Sequence, residues 1–139
     1  MGLTGFGYVR DTTPSITQIA RIAAGKAEQI IRIRHRATQR DFADIRDVVQ
    51  AYWLLLEHGI SGEVYNVCSG VATPIGDITE RLMALAHVSA HVEEMSAQPE
   101  SSDILVQVCS NERVRQIVGW RPQIDLDTSL ADLLRTCYV

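Results

Sequence analysis

The chain has 139 residues, of which 46% are hydrophobic, and a net charge of −4. This length suits one domain, and this composition can bury a core, which excludes a disordered chain. The negative charge disfavours nucleic acid as a partner, no apolar run approaches the roughly 20 residues that span a bilayer, and the first residues lack the pattern of a signal peptide.

The first predicted elements are a helix and a strand. The segment TTPS at residues 12–15 is typical of a helix start, because serine and threonine cap helices and proline tolerates the first turn. Gly25 is the predicted end of this helix. Residues 29–36 then alternate isoleucine with arginine, which is the period of a half-buried strand.

A second helix and a short strand follow. Asp44 or Asp47 begins the helix, which Gly59 ends. Its apolar side chains lie at several angles around the axis, so we expect it to be buried on more than one side. The segment VYNVC, between Glu63 and Cys68, predicts a short buried strand.

The remaining elements are three helices and two strands. The predicted helix caps are Thr73-Pro74, Ser110 and Asp127, and the predicted strands are residues 90–95 and 104–108. Gly119 ends the second of these helices. With no repeat and no linker, residues 1–139 are expected to form one α/β domain with short connections.

Several segments resemble one known family in sequence and in order. They are TGFG at 4–7, PSITQIARIAAG at 14–25, RDFADIRD at 40–47, GEVYNVCSG at 62–70 and GWRP at 119–122. They resemble the C-terminal part of the extended short-chain dehydrogenase/reductases, closest to the GDP-mannose 4,6-dehydratases and GDP-4-keto-6-deoxymannose reductases. The resemblance implies a substrate-binding lobe plus the last strand and helix of the cofactor domain, without the Rossmann core.

Catalysis by this chain alone is not expected. Family members use a tyrosine four residues before a lysine, but Lys26 is the only lysine here and Ile22 stands four residues before it. The glycines near the N-terminus are followed by Tyr8 rather than by a third evenly spaced glycine, and no strand precedes them, so no dinucleotide fingerprint is present. We therefore expect no cofactor.

The resemblance assigns the candidate binding residues. In the family the arginine of the RDF motif binds the diphosphate of a nucleotide sugar, and here it is Arg40, whose planar guanidinium suits two phosphate oxygens. A purely structural alternative pairs Arg40 with Asp41, Asp44 or Asp47.

A second family motif, R-P-x-[DE], matches the segment that begins at Gln98. Gln98 replaces the arginine, and Glu100 is the candidate carboxylate for the nucleotide ribose. Losing one charge-assisted contact costs about 1.5–3 kcal/mol, so nucleotide binding is expected to be weakened. Arg34 and Arg36 either compensate for the lost positive charge or, as we favour, lie on a solvent-exposed strand face.

No metal site or nucleophile is predicted. His87 and His91 have the spacing of two helical ligands, but their helix is expected to end near Ser89 and a third ligand is lacking. The three cysteines are widely spaced without a CxxC pattern, which indicates reduced, buried thiols in a cytoplasmic protein. Cys68 lies in no signature of a catalytic thiol.

Three functional hypotheses remain. The first is a binding module for a nucleotide diphosphate or another anion, and the second is an interaction protein that docks on its own copy or on a relative. The third is one half of a split enzyme. A homodimer is expected through the helix between Val48 and Leu56 or the strand between Glu63 and Cys68, because both would lose the cover of the cofactor domain. Nucleic-acid binding through the arginines is a remote fourth.

Overall fold

A computed structural model describes residues 3–5, 9–95 and 104–137, with side chains from residue 16 to 95 and from 104 to 136. Helices and strands alternate along the chain. The strands are β1 Leu3–Gly5, β2 Ile30–Ile33, β3 Gln39–Asp44, β4 Ala72–Pro74, β5 His91–Glu94 and β6 Val106–Gln107. The helices are α1 Val9–Ala23, α2 Ile45–His58, α3 Ile75–Leu85, α4 Glu112–Val118 and α5 Leu126–Cys137.

β3 is the central strand of the larger sheet. It pairs antiparallel with β1 and β4 and parallel with β6. Arg40, in the first half of β3, lies opposite Thr73 of β4 and Gln107 of β6. A second, two-stranded sheet joins β2 and β5 in parallel, with Ile31 opposite Val92. Among the described residues, no helix has the length and apolar character needed to cross a membrane.

Two apolar cores flank β3. The first joins α1, β2, α3 and α5, and its buried residues are Ile16, Ile19, Ile31, Ile33, Ile78, Leu82, Leu130 and Leu134. The second lies under α2 and α4, and its buried residues are Ala43, Val48, Ala51, Val67, Val114 and Trp120. The indole of Trp120 donates to the backbone oxygen of Asp47 over 2.9 Å, so this large side chain is buried with its polar atom satisfied.

Within the alternating segment 29–36, residues Ile30–Ile33 form the predicted strand, which is β2. Ile31 and Ile33 of β2 are buried, whereas Arg32 and Arg34 are exposed. Gly25 also ends α1 as predicted, with a φ of +66° that glycine adopts without strain. The predicted helix start is wrong, because α1 already begins at Val9. The proline of the TTPS segment lies inside the helix and removes one backbone donor without ending it.

The predicted strand between Glu63 and Cys68 is wrong for this structure. The segment forms neither helix nor strand, although Val67 and Cys68 are buried. A strand requires backbone pairing with a neighbouring strand. Within the described parts of the chain, no strand pairs with this segment, and Val64 is 75% exposed.

α2 begins at Asp44 and ends before Gly59, as predicted. Asp44 is the N-cap, and its carboxylate accepts a hydrogen bond from the backbone N of Arg46 over 2.8 Å. Burial on several sides is not observed. Val48 and Ala51 are buried, but the opposite side of the helix is exposed, including Trp53 at 62%.

The caps of α3 and α5 differ from those predicted, whereas in α4 the hydroxyl of Ser110 accepts from the backbone N of Glu112 over 3.3 Å. Thr73-Pro74 makes no side-chain cap; instead the first N–H groups of α3 donate to the backbone oxygens of Thr38 and Arg36. Asp125, not Asp127, caps α5, by accepting from the backbone N of Thr128 over 2.9 Å. That backbone hydrogen bond holds the pKa of Asp125 below its usual range.

Candidate functional site

Three aspartates at a spacing of three residues connect β3 and α2 to the rest of the chain. Asp41, Asp44 and Asp47 are all buried. Asp41 accepts from the backbone N and hydroxyl of Ser69 over 2.7 and 2.6 Å and from the backbone N of Gly70 over 2.9 Å. Asp41 therefore fixes the loop that follows the segment 63–68 against the central strand.

Asp44 and Asp47 fix the C-terminal part of the chain. The carboxylate of Asp44 accepts from the guanidinium of Arg46 at 2.8 Å and from the hydroxyl of Ser129 at 2.5 Å. The Arg46 hydrogen bonds hold the pKa of Asp44 well below its usual range. Asp47 accepts from the backbone N atoms of Gln123 and Ile124, both at 2.9 Å.

A cleft of about 400 Å³ opens between these tethered segments. Its polar lining includes Asp44, Ser69, Thr73, Arg81, Gln123 and Ser129. The guanidinium of Arg81 is half-exposed and pairs with Asp127 over 2.9 Å. The cleft thus combines hydroxyls, an amide and one paired cation, a set able to accept a polar ligand.

Arg40 lies on β3 outside the lining of this cleft. Its Nη1 atom donates to the backbone oxygens of Gln39 and Ile104, both at 2.9 Å. Its Nε atom is buried and has no hydrogen-bond partner among the described residues. The alternative that pairs Arg40 with a neighbouring aspartate is wrong, since each of the three carboxylates binds other groups.

The basic segment before β3 is largely neutralised. Arg32 pairs with Glu93 at 3.2 Å, and the guanidinium of Arg36 pairs with Glu80. The backbone N of Arg36 also donates to Glu94 over 3.0 Å. These contacts favour the interpretation that the arginines lie on a solvent-exposed strand face over the interpretation that they form a basic patch for phosphates.

The remaining sequence candidates are two residues of the nucleotide site and two histidines. Gln98 and Glu100 lie outside the described residues. His87 and His91 are both exposed, and His87 has a φ of +52° just beyond the end of α3. The two histidines therefore do not share a helical face.

Two cysteines approach each other beside Asp41. Cys68 is buried, and its thiol donates to the backbone oxygen of Cys109 over 3.2 Å. Burial raises the pKa of the Cys68 thiol well above its usual range. Sequence reasoning missed this pair because 41 positions separate the two residues, and no motif signals the contact.

Comparison with known proteins decides the family. The family model for GDP-mannose 4,6 dehydratase matches residues 8–133. The chain belongs to this family. The GDP-6-deoxy-D-mannose reductase of Pseudomonas aeruginosa is 34% identical over 117 residues, which are 84% of this chain and 38% of the reductase. The resemblance found in the sequence is therefore confirmed.

Solved structures of the wider family share the fold. The structure of RMD from Pseudomonas aeruginosa, in complex with NADPH, matches with a TM-score of 0.81 and 32% identity, over 89% of this chain and 41% of RMD. The dTDP-glucose 4,6-dehydratase of Bacillus anthracis, in complex with NAD, matches with a TM-score of 0.75 over 96% of this chain and 42% of that protein, at 16% identity. This GDP-mannose dehydratase family chain therefore spans about two fifths of the length of these relatives and has the α/β fold of extended short-chain dehydrogenases.

Proposed function

We propose that this chain is a substrate-binding lobe of the nucleotide-sugar dehydratase/reductase type. It binds a nucleotide diphosphate or a similar anion through Arg40 and does not catalyse a reaction alone. The observation that carries this proposal is the state of Arg40. It has no carboxylate partner among the described residues, although three buried aspartates lie within seven positions of it along the chain.

The geometry of Arg40 favours an anion. Its Nη1 atom is held by two backbone oxygens at 2.9 Å, which fixes the plane of the guanidinium. Its Nε–H is buried without an acceptor, and an unsatisfied buried donor costs about 1–3 kcal/mol. The guanidinium charge, which no carboxylate neutralises among the described residues, would strengthen a hydrogen bond to a phosphate oxygen.

Replacing Arg40 tests this site. We expect Arg40→Ala to weaken GDP binding by about 1.5–3 kcal/mol, roughly 10–100-fold in Kd, measured by isothermal titration calorimetry. Arg34→Ala is the matched control, because Arg34 is an exposed arginine in the connection between β2 and β3, and it should leave the Kd within about two-fold.

Two results would contradict the Arg40 site. Equal losses from the two substitutions would indicate a diffuse electrostatic attraction rather than a site at Arg40. No GDP binding by the unmutated chain would make Arg40 a structural residue, whose role is then to join β3 to the backbone at Ile104.

The isolated chain is expected to be inactive. The catalytic tyrosine and lysine pair of the family cannot form, because Ile22 precedes Lys26 by four positions. We expect no conversion of GDP-mannose by the pure protein above a buffer control, and no measurable NADP binding in a thermal-shift assay that detects GDP. Turnover by the chain alone would refute this part of the proposal.

A second candidate function is docking on another copy of this chain. It is favoured by the exposed apolar side of α2, where Leu56 is 83% exposed and Trp53 is 62% exposed. Large apolar side chains in one stripe mark interaction surfaces. The same surface would suit the separately encoded half of a split enzyme, and the oligomeric state of the pure chain separates the two.

A further inference from the structure

Asp41, Cys68 and Cys109 form a cluster that no catalytic or nucleotide-binding role requires. One carboxylate oxygen of Asp41 and the two Sγ atoms all lie within 4.8 Å of one another. We propose that these three side chains bind a zinc-class divalent cation, with the fourth position left to water.

Three segments converge on this point independently of the ion. Asp41 comes from β3, Cys68 from the loop after α2, and Cys109 from the loop before α4. The side-chain amide of Asn111 donates to the backbone oxygens of Cys68 and Ser69 over 3.0 and 3.2 Å, so it holds the two loops together. Asn111 and Asp41 thus hold the loops by side-chain bonds to their backbones, in addition to the hydrogen bond from the Cys68 thiol to the backbone oxygen of Cys109.

Glycine at position 70 permits the turn that carries this loop past Cys109. Gly70 has a φ of +80°, which other residues rarely adopt, whereas a Cβ atom there would make only ordinary contacts, 3.6 Å from the side-chain amide of Asn111 and 3.9 Å from the backbone oxygen of Cys109. The loop carrying Cys68 therefore turns sharply over the loop carrying Cys109, with both thiols on the side of Asp41.

The donor set fits zinc. Zinc binds thiolates at about 2.3 Å and carboxylate oxygens at about 2.0–2.2 Å in tetrahedral sites, which places ligand atoms about 3.5–3.8 Å apart. The present separations of at most 4.8 Å need to close by about 1 Å, which side-chain rotation can supply.

The carboxylate of Asp41 has capacity left for a metal. Its Oδ1 atom accepts two hydrogen bonds from Ser69, whereas the described residues supply Oδ2 with one donor, the backbone N of Gly70. A carboxylate oxygen offers two lone pairs, so Oδ2 can bind an ion while its hydrogen bond persists. The hydrogen bonds of Asp41 then orient the ligand as outer partners do in metal sites.

The consequence of such an ion is structural. It would join β3 to two loops, one of which carries Ser69 at the wall of the 400 Å³ cleft. Bound metal stabilises the folded chain because the ligands come together only on folding. The site would therefore fix one wall of the cleft.

Cobalt is the probe for this site. The reduced, metal-free chain is titrated with Co²⁺ under a phosphine reductant, and we expect one equivalent to give a thiolate-to-cobalt charge-transfer band and the visible spectrum of a tetrahedral ion. Cys109→Ser should remove about half of that band. It should also raise the Kd for Co²⁺ by at least roughly 10–100-fold, which is the effect of losing a residue that only orients a metal ligand. Cys137→Ser is the matched control and should change neither quantity.

A second measurement uses Zn²⁺ and thiol counting. With excess Zn²⁺ we expect two of the three thiols to be protected from a thiol reagent, and circular dichroism verifies that each variant is folded. The proposal is overturned by the lack of a thiolate band, by a band that keeps its full intensity in Cys109→Ser or loses intensity in Cys137→Ser, or by a Cys68–Cys109 disulfide that forms in excess Zn²⁺.

Discussion

Trp53→Glu combined with Leu56→Glu is expected to convert a homodimer of this chain into monomers. Burying one large apolar side chain contributes about 1.5–3 kcal/mol. Because both copies carry both substitutions, dimerisation should weaken by at least about 3–6 kcal/mol, which is roughly 100-fold to 10,000-fold in Kd. The measurement is light scattering over a concentration series from micromolar upward.

The expectation rests on the exposed side of α2 and the segment that follows. The apolar side chains there that are more than half exposed are Val49, Tyr52, Trp53, Leu56, Ile60 and Val64. Spacings of three and four place the helical members in one stripe. The segment between Glu63 and Cys68, which forms no strand, adjoins it, and a symmetric pair of copies is the commonest way to cover such a surface.

Leu105→Glu is the control for a general effect of added charge. Leu105 is 53% exposed, and it lies in the segment leading into β6, away from α2. It should leave the dimer intact. A monomeric unmutated chain at micromolar concentration contradicts the homodimer, and so does an interface formed only by residues 104–139.

Sequence periodicity predicted the elements that this chain can complete by itself. The alternation around Ile31 correctly predicted β2, and the structure contains both its partner strand and the helices that cover it. The same reasoning failed between Glu63 and Cys68. An apolar run indicates burial, but a strand also needs a neighbouring strand, and the described parts of the chain supply none there.

Burial of α2 was predicted from composition and is only partly observed. Helical angles show which side chains are apolar, but not which sides of the helix have a neighbour. Val48 is buried against the second core, whereas Val49 is 57% exposed. The difference lies in tertiary packing, which a single sequence does not specify.

The candidate site was predicted in part. Arg40 was chosen by resemblance, and the structure adds that its neighbouring aspartates are all engaged elsewhere. Those partners were not predictable, because Asp44 binds Ser129 from 85 positions away. The regular spacing of Asp41, Asp44 and Asp47 was the available signal, since aspartates are seldom buried unless they are hydrogen-bonded.

Asp44→Ala is expected to lower the free energy of unfolding at pH 7 by about 2–5 kcal/mol. The estimate combines loss of the α2 N-cap, about 0.5–2 kcal/mol, with loss of hydrogen bonds to a charged group, about 1.5–3 kcal/mol. Arg46 is one-third exposed and keeps Asp132 as a second partner at 2.9 Å, which limits the loss. Urea unfolding monitored by circular dichroism gives the value.

Asp132→Ala is the matched control, since it removes the other carboxylate from the same guanidinium. Asp132 is 22% exposed, against 5% for the side chain of Asp44, and it does not cap α2. We expect that variant to lose less than about 1 kcal/mol, as partly exposed ion pairs do. Equal losses from the two variants would show that the ion pair alone, without the cap and Ser129, accounts for the stability.

Acid should reduce the difference in the free energy of unfolding between the wild type and Asp44→Ala. The pKa of Asp44 is lowered by its hydrogen bonds with Arg46. A carboxyl with a depressed folded pKa contributes stability that is complete above its unfolded pKa, about 3.9, and is lost as the pH falls towards the folded value. The gap in unfolding free energy should therefore be constant from pH 7 to about pH 5 and narrow below about pH 4. A gap that widens on acidification would mean that Asp44 is not ionised in the folded chain, and that its bond to Ser129 is the main contribution.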